Sequence, residues 1–258
     1  MPGLKQWHNV AVVLGMLLAL PAWALRCGYA EGYPPFQYQE NGQPAGFDVL
    51  LLQKLAKQLD LPLELVAGRW DDVVAWARLG KLDCVAGMEI SPARQKWFAF
   101  TRPYYQRHIN VFVRQDNTTL TTLSDLVGNI ITGDRDSVIE HELDQLGIRQ
   151  RIRLRQTPSK QMSMSLLQQG QVAAVVMPDA VAYYLAQQRG MNIRPLQRDQ
   201  SSAAPVAIAV AQNDAKLQQS LDEVLARLLK NGEVARLWHA SCPKCGELPL
   251  PAAVRSNR

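Results

Sequence analysis

Gly87-Met88-Glu89-Ile90-Ser91-Pro92-Ala93-Arg94, followed by Phe100-Thr101-Arg102-Pro103-Tyr104-Tyr105, is the stretch on which the fold turns. Before it stands a short apolar run, Cys84, Val85 and Ala86, that reads as a buried strand. Ser91-Pro92 then reads as a helix start, because Ser is a favoured N-cap and Pro a favoured first helical residue. A strand that ends in a helix start presents free backbone N–H groups at the carboxyl edge of a sheet. Open α/β folds bind ligands at that edge. Arg94 adds a planar fork of donors matched to two carboxylate oxygens. The stretch therefore predicts a site for a small carboxylate.

Outward from this point the chain alternates strands and helices. Residues 25–29 read as a strand leading into Glu31-Gly32-Tyr33-Pro34-Pro35-Phe36, an aromatic, proline-stiffened loop. Asn41-Gly42-Gln43-Pro44 reads as a turn. Phe47, Leu51, Leu52, Leu55, Ala56 and Leu59 recur at helical spacing, with Asp48 near the helix start. Residues 61–66 form the next strand, and a second helix runs through Val73, Val74, Ala77 and Leu79. Strand, helix, strand, helix, strand is the order of a parallel sheet with crossover helices.

The same order recurs downstream. Residues 109–113 read as a strand, residues 123–128 as a short helix, and residues 129–132 as a strand. A helix then runs through Ile139, Leu143 and Leu146, and residues 152–154 make another strand. Residues 159–169 read as a helix closed by Gly170, residues 172–177 as a buried strand, and Val181 and Leu185 mark the next helix. Residues 206–210 and a long amphipathic helix over 217–229 finish the pattern.

Two similar halves and a returning segment predict an α/β, two-lobed fold. Each lobe is a mainly parallel sheet flanked by helices, with crossings near Arg107 and near residues 201–204. The expected division is a first lobe over 25–107, a second over 108–202, a return segment over 203–241 and a tail over 242–258. A cleft between lobes is where small ligands sit.

Residues 1–24 read as an export signal. Lys5 is followed by an apolar run over 10–20, and Pro21-Ala22-Trp23-Ala24 ends in a small-x-small cleavage pattern. The run is shorter than the ~20 residues of a membrane span. Arg26 stands before Cys27 where a lipid-anchoring signal places a small residue. Without Lys5 the chain carries 27 basic and 23 acidic residues, a spread excess of +4. Such a balance, with no basic patch beside base-reading or stacking groups, argues against nucleic-acid binding. Arg149-Gln150-Arg151-Ile152-Arg153-Leu154-Arg155 reads as the solvated face of an edge strand.

Four cysteines follow the signal, and export permits disulfides. Cys242-Pro243-Lys244-Cys245 is half a zinc motif with no second half, so a local disulfide is the expectation and a metal is not. Cys27 and Cys84 fall in strands that should be neighbours and are either bonded or simply buried.

On Tyr33-Pro34-Pro35-Phe36, Gly46-Phe47-Asp48-Val49, Trp70-Asp71-Asp72, Gly80-Lys81-Leu82-Asp83, residues 87–94, Pro103-Tyr104-Tyr105 and Asn231-Gly232-Glu233, in that order and spacing, the chain resembles a family. These are the bacterial extracellular solute-binding proteins of the polar amino acid class (family 3), which serve ABC importers and share the type II periplasmic-binding-protein fold.

The resemblance implies that Arg94 clamps a ligand α-carboxylate with the backbone at Gly87. Tyr33 and Trp70 would enclose the ligand side chain, Ser137 would help hold the carboxylate, and Asp179 would meet an α-ammonium. Each has a plainer role open to it. Arg94 could be a surface helix residue, Tyr33 loop packing and Trp70 core, while Ser137 and Asp179 could be helix caps.

Three positions depart from the family pattern. Glu89 replaces a Ser or Thr hydroxyl, Asp136 replaces a Gly, and Asp179 lies one residue later than expected, behind Pro178. A cleft with these carboxylates is expected to favour a ligand with extra positive charge, such as a basic amino acid or an amine. The expected partners are that small molecule and an ABC transporter permease. No cofactor and no metal are implied, and the protein is expected to be a periplasmic monomer.

Two other functions stay open. One is a periplasmic accessory or sensor protein with a modified site, such as those beside quinoprotein dehydrogenases. The other is an enzyme like the cyclohexadienyl dehydratases, similar in layout, which carry a catalytic acid shortly after the Asp179 position. Ala180-Val181-Ala182 offers none here.

Overall fold

The computed structural model describes residues 24–133, 138–196, 203–243 and 245–250. The expected export signal, apart from Ala24, and Asp136 and Ser137 lie outside the described residues.

The first lobe starts with β1 (Leu25–Ala30), buried at all but one position. A small antiparallel sheet follows, made of β2 (Gly32–Tyr33), β3 (Gln37–Glu40) and β4 (Gln43–Ala45). The Asn41-Gly42 turn joins the last two with positive φ at both residues (51° and 76°), the backbone that a tight hairpin needs.

Helix α1 (Phe47–Gln58) buries Leu51, Leu52 and Leu55 completely. Each such leucine contributes about 1.5–3 kcal/mol. Then come β5 (Leu63–Gly68), α2 (Trp70–Arg78), β6 (Cys84–Glu89), the single turn α3 (Pro92–Gln95) and β7 (Phe98–Phe100). Strand β1 pairs in parallel with both β5 and β6. Helix α2 stops one residue short of the expected Leu79, which is exposed.

Strand β8 (Tyr105–Arg114) leaves the first lobe and enters the second. Beyond it, Leu123–Leu126 forms a 3-10 turn rather than an α-helix. Next are β9 (Ile130–Thr132), α4 (Val138–Gln145), a 3-10 turn at Arg149–Arg151 and β10 (Arg153–Arg155). The basic run is thus a turn followed by an edge strand, not one continuous strand. Leu146, expected on the apolar face of α4, lies past its end and is half exposed.

The lobe continues with α5 (Lys160–Gln168), β11 (Ala174–Pro178), α6 (Asp179–Gln188) and β12 (Ile193–Pro195). Strands β10, β9 and β11 run parallel, and β11 and β12 pair antiparallel with β8.

Strand β13 (Ala203–Ala211) returns to the first lobe, where it pairs with β6 and β7. Its first residues, 203–206, pair antiparallel with 105–108 of β8. These are the two crossover strands. Helices α7 (Ala215–Lys230) and α8 (Glu233–Ser241) complete the chain. The architecture is the two-lobed type II fold.

Apolar packing joins the lobes at their root. One cluster holds Leu51, Leu55 and Trp238 of the first lobe together with Phe36, Tyr105, Phe112, Met164 and Leu185. A second lies within the distal lobe around Val111, Ile131 and Leu143. A third backs the first lobe around Val73, Val85 and Met88. Strand β2 also packs on the start of α5, so near that a methyl added at Gly32 would come within 3.0 Å of Ser159 Cβ. Disulfides link Cys27 to Cys84 and Cys242 to Cys245. Among the described residues no helix is long and apolar enough to cross a membrane.

Candidate ligand site

The carboxyl end of β6 builds the first wall. After Glu89, Ser91 caps α3 by accepting from the Arg94 amide at 3.3 Å, with Pro92 at the first helical position. This cap turns Arg94 back toward the strand, where its Nη1 donates to the Glu89 carbonyl at 3.1 Å. The Arg94 guanidinium carbon lies 5.7 Å from the ring centre of Trp70, the first residue of α2, within cation–π range. Arg94 and Trp70 are both partly buried. The sequence-predicted Arg94 and Trp70 are therefore brought together.

Glu89 does not stand alone as an acidic group. Its Oε1 accepts from Arg107 Nη1 at 3.0 Å, and its Oε2 lies 3.8 Å from Arg94 Nη1. Arg107 is a buried residue of the crossover strand β8, packed over Tyr33 with its guanidinium carbon 5.0 Å from the ring centre. Trp70, Arg94, Glu89, Arg107 and Tyr33 thus form one chain of contacts. Among the described residues this chain of contacts holds one carboxylate and two guanidiniums. The acidity expected from Glu89 is offset by a residue that sequence reasoning did not place in the site.

A signal for Arg107 existed. It alternates with Tyr105 and Ile109 on a strand, so period two puts it with buried residues, and a partly buried carboxylate at position 89 calls for a cation.

Gly87 serves differently from expectation. Its N–H donates inward to Tyr104 Oη at 2.9 Å, and its carbonyl accepts from Arg107 Nη2 at 3.2 Å. Its φ of +70° and the crowding behind it explain the glycine. An added Cβ would lie 2.0 Å from Gln37 Nε2 and 2.4 Å from Asp48 Oδ2.

Those two atoms belong to a buried polar network. Asp48, 0% exposed, accepts from Tyr104 Oη and from Gln37 Nε2, both at 2.7 Å. Gln37 in turn donates to the Ala86 carbonyl at 2.9 Å and accepts from the Ala30 amide at 2.6 Å. Burial pushes the Asp48 carboxyl up to about 6, against the opposing pull of the Tyr104 and Gln37 hydrogen bonds. The network fixes the ends of β1 and β6 from behind.

In the second lobe Asp179 opens α6 directly after β11, and its Oδ1 accepts from Asn110 Nδ2 at 2.7 Å. Asn110 sits on β8 three residues beyond Arg107. Among the described residues no group of three or more His, Cys, Asp or Glu side chains could hold a metal ion. The arrangement suits an anion such as a carboxylate at Arg94 and a cation at Asp179.

Comparisons with known proteins bear on the family and the fold. The family model of bacterial extracellular solute-binding proteins, family 3, matches residues 25–240. The probable amino-acid-binding protein YxeM of Bacillus subtilis (strain 168) is 25% identical over 249 residues, covering 91% of this chain and 94% of the relative. The probable amino-acid ABC transporter-binding protein of Haemophilus influenzae (strain ATCC 51907 / DSM 11121 / KW20 / Rd) is 24% identical over 216 residues, covering 83% and 82%. Among solved structures, an ancestral arginine-binding protein bound to arginine matches with a TM-score of 0.76. It is 26% identical, and the match covers 85% of this chain and 98% of that one.

Proposed function

The chain belongs to the bacterial extracellular solute-binding proteins, family 3, and from that premise we propose that it captures an amino acid between its lobes and hands it to an ABC transporter permease. Residues 1–24 would export it, and it would work in the periplasm as a monomer, without metal or cofactor. The lobes would divide at 107/108 and 202/203. Arg94 takes the α-carboxylate, Tyr33 and Trp70 flank the side chain, and Asp179, oriented by Asn110, takes the α-ammonium. Asp136 and Ser137 would line the second-lobe side. Gly87 supports the wall from behind.

The observation that carries this reading is the placement of Arg94. Its guanidinium is held by the Glu89 carbonyl and the Trp70 ring at the carboxyl end of a sheet strand. A fixed fork at that place is preorganised for a carboxylate and loses little freedom on binding. Binding relatives and the matching of Glu89 by Arg107 support a binding role over catalysis. Arginine is the first ligand to try, because the ancestral neighbour binds it.

A thermal-shift screen of the twenty L-amino acids tests the proposal. A ligand at a hundred times its Kd stabilises the native state by about 2.7 kcal/mol, or roughly 5–10 °C in Tm for a chain of this size. At least one amino acid should give such a shift. Twenty amino acids without effect at millimolar concentration would contradict the reading.

A further inference from the structure

The family match ends at residue 240, and the chain continues past it into a segment with its own fastening. Cys242 and Cys245 are joined, and the Cys245 amide donates to the Cys242 carbonyl at 3.1 Å. Trp238 of α8 donates from Nε1 to the Gly246 carbonyl at 2.8 Å. These bonds hold the chain back against α8. Leu248 and Leu250 are then buried, 5% and 9% exposed, in the apolar cluster that contains Phe36, Tyr105 and Trp238.

Between the two leucines the Pro249 carbonyl accepts from the Gln106 amide at 2.6 Å. Gln106 lies in the crossover. Residues 105–108 of β8 pair with 203–206 of β13 on one side, and β11 takes the other side only from Ile109 onward. Pro205, opposite Gln106, gives its carbonyl to the Ile90 amide at 2.9 Å instead. The Gln106 N–H thus points to an edge of β8 that no strand covers among the described residues. A buried amide needs an acceptor, and the tail supplies it.

Motion of two lobes about shared strands is absorbed in the backbone of those strands. A contact that ties one of them to α8 of the first lobe favours the hinge geometry in which it forms. In that geometry the lobes touch, since a methyl added at Gly32 of β2 would come within 3.0 Å of Ser159 Cβ at the start of α5. Holding the competent geometry removes part of the conformational cost of binding.

We propose that the segment after residue 240 is a strap, locked by Cys242–Cys245, that holds crossover strand β8 in the geometry where the lobes touch and thereby tightens ligand binding. This rests on the reading of the cleft as an amino-acid site.

The test compares wild type with Leu248→Ala/Leu250→Ala and Cys242→Ser/Cys245→Ser. A control, Leu143→Ala, removes a buried side chain from the distal-lobe cluster instead. Calorimetric titration of the twenty L-amino acids gives Kd for any that binds. Hydrogen exchange of the peptide containing Gln106, read by mass spectrometry, reports whether the strap has let go.

The leucine variant should exchange about tenfold faster at Gln106 and bind about fivefold more weakly or worse. The serine variant should move both readouts in the same direction. Leu143→Ala should stay within about twofold of wild type in both, because it is remote from the strap. Wild-type affinity in the leucine variant, unchanged exchange at Gln106, or an equal loss of affinity in Leu143→Ala overturns the proposal.

If the leucine variant does not fold, the serine variant decides: faster exchange with weaker binding supports the strap, and either readout unchanged overturns it. A wild type that binds an amino acid no better than its strap variants sinks the strap alone. A wild type that binds none of the twenty overturns the functional reading, and this inference with it.

Discussion

Asp48 shows how a residue can be essential to the site without touching a ligand. It holds Tyr104 and Gln37, and through them the amide of Gly87 and the end of β1. Its carboxyl is raised to about 6 by burial from an ordinary value of 3.8. The native state therefore keeps this proton at pH values where the unfolded chain has lost it. The contribution is fully present below about pH 4 and is lost as pH rises through about 6, with a size on the order of 3 kcal/mol. Urea denaturation of wild type and Asp48→Asn across pH 4–7 measures it. The stability of wild type relative to the variant should fall with rising pH in that window; a constant difference would contradict the assignment. At this scale the sequence was only partly legible. Arg94 stood out because Ser91-Pro92 announces a capped helix start. Arg107 did not, because its partner Glu89 lies eighteen residues away and the two meet only through strand β13, which pairs with both β6 and β8.

Most of the longer elements were readable from periodicity, and several of the shortest were not. Helices α1, α5 and α7 carry regular apolar stripes and lie close to where those stripes place them. Strands β2, β7 and β12 have two or three residues each, too few to show an alternation. The prolines at 34 and 35 further disguise the small hairpin sheet as a loop.

The disulfides tie elements together on different scales. Cys27–Cys84 joins β1 to its neighbour β6 across 57 residues, whereas Cys242–Cys245 closes a loop with a separation of 3. The second fixes the turn after α8, where Trp238 Nε1 donates to the Gly246 carbonyl at 2.8 Å and Leu248 and Leu250 are buried. From there the tail reaches the crossover strand, accepting from the Gln106 amide at the Pro249 carbonyl. Loop-closure entropy assigns about 4 kcal/mol to the long link and about 2 kcal/mol to the short one. Denaturant titration should find Cys27→Ala/Cys84→Ala losing clearly more stability than Cys242→Ala/Cys245→Ala. The reverse order would show that the short link acts through tail docking instead.

At the scale of the molecule, two α/β lobes share the crossover strands β8 and β13, and Arg107 of β8 joins the contact chain of Trp70, Arg94, Glu89 and Tyr33. Alternation of strands and helices made this architecture legible, because each crossover needs a helix and each half repeats the order. The balance of charge in the cleft was not legible, since it depends on which side chains meet across β6 and β8. Glu89, Asp136 and Asp179 together predicted an acidic cleft; of these, Glu89 is paired with Arg107, Asp179 meets Asn110, and Asp136 lies outside the described residues. A ligand that bridges Arg94 and Asp179 would hold the lobes together, because groups from both sides are satisfied only when they meet.

The most direct measurement is calorimetric titration of the binding amino acid into wild type and Arg94→Met. Wild type should take up one ligand per chain. The variant should lose about 2–5 kcal/mol of binding free energy, some thirtyfold to several thousandfold in Kd, while remaining folded. Equal affinity in the two proteins would mean that the carboxylate is held elsewhere, and the account of the site would fail.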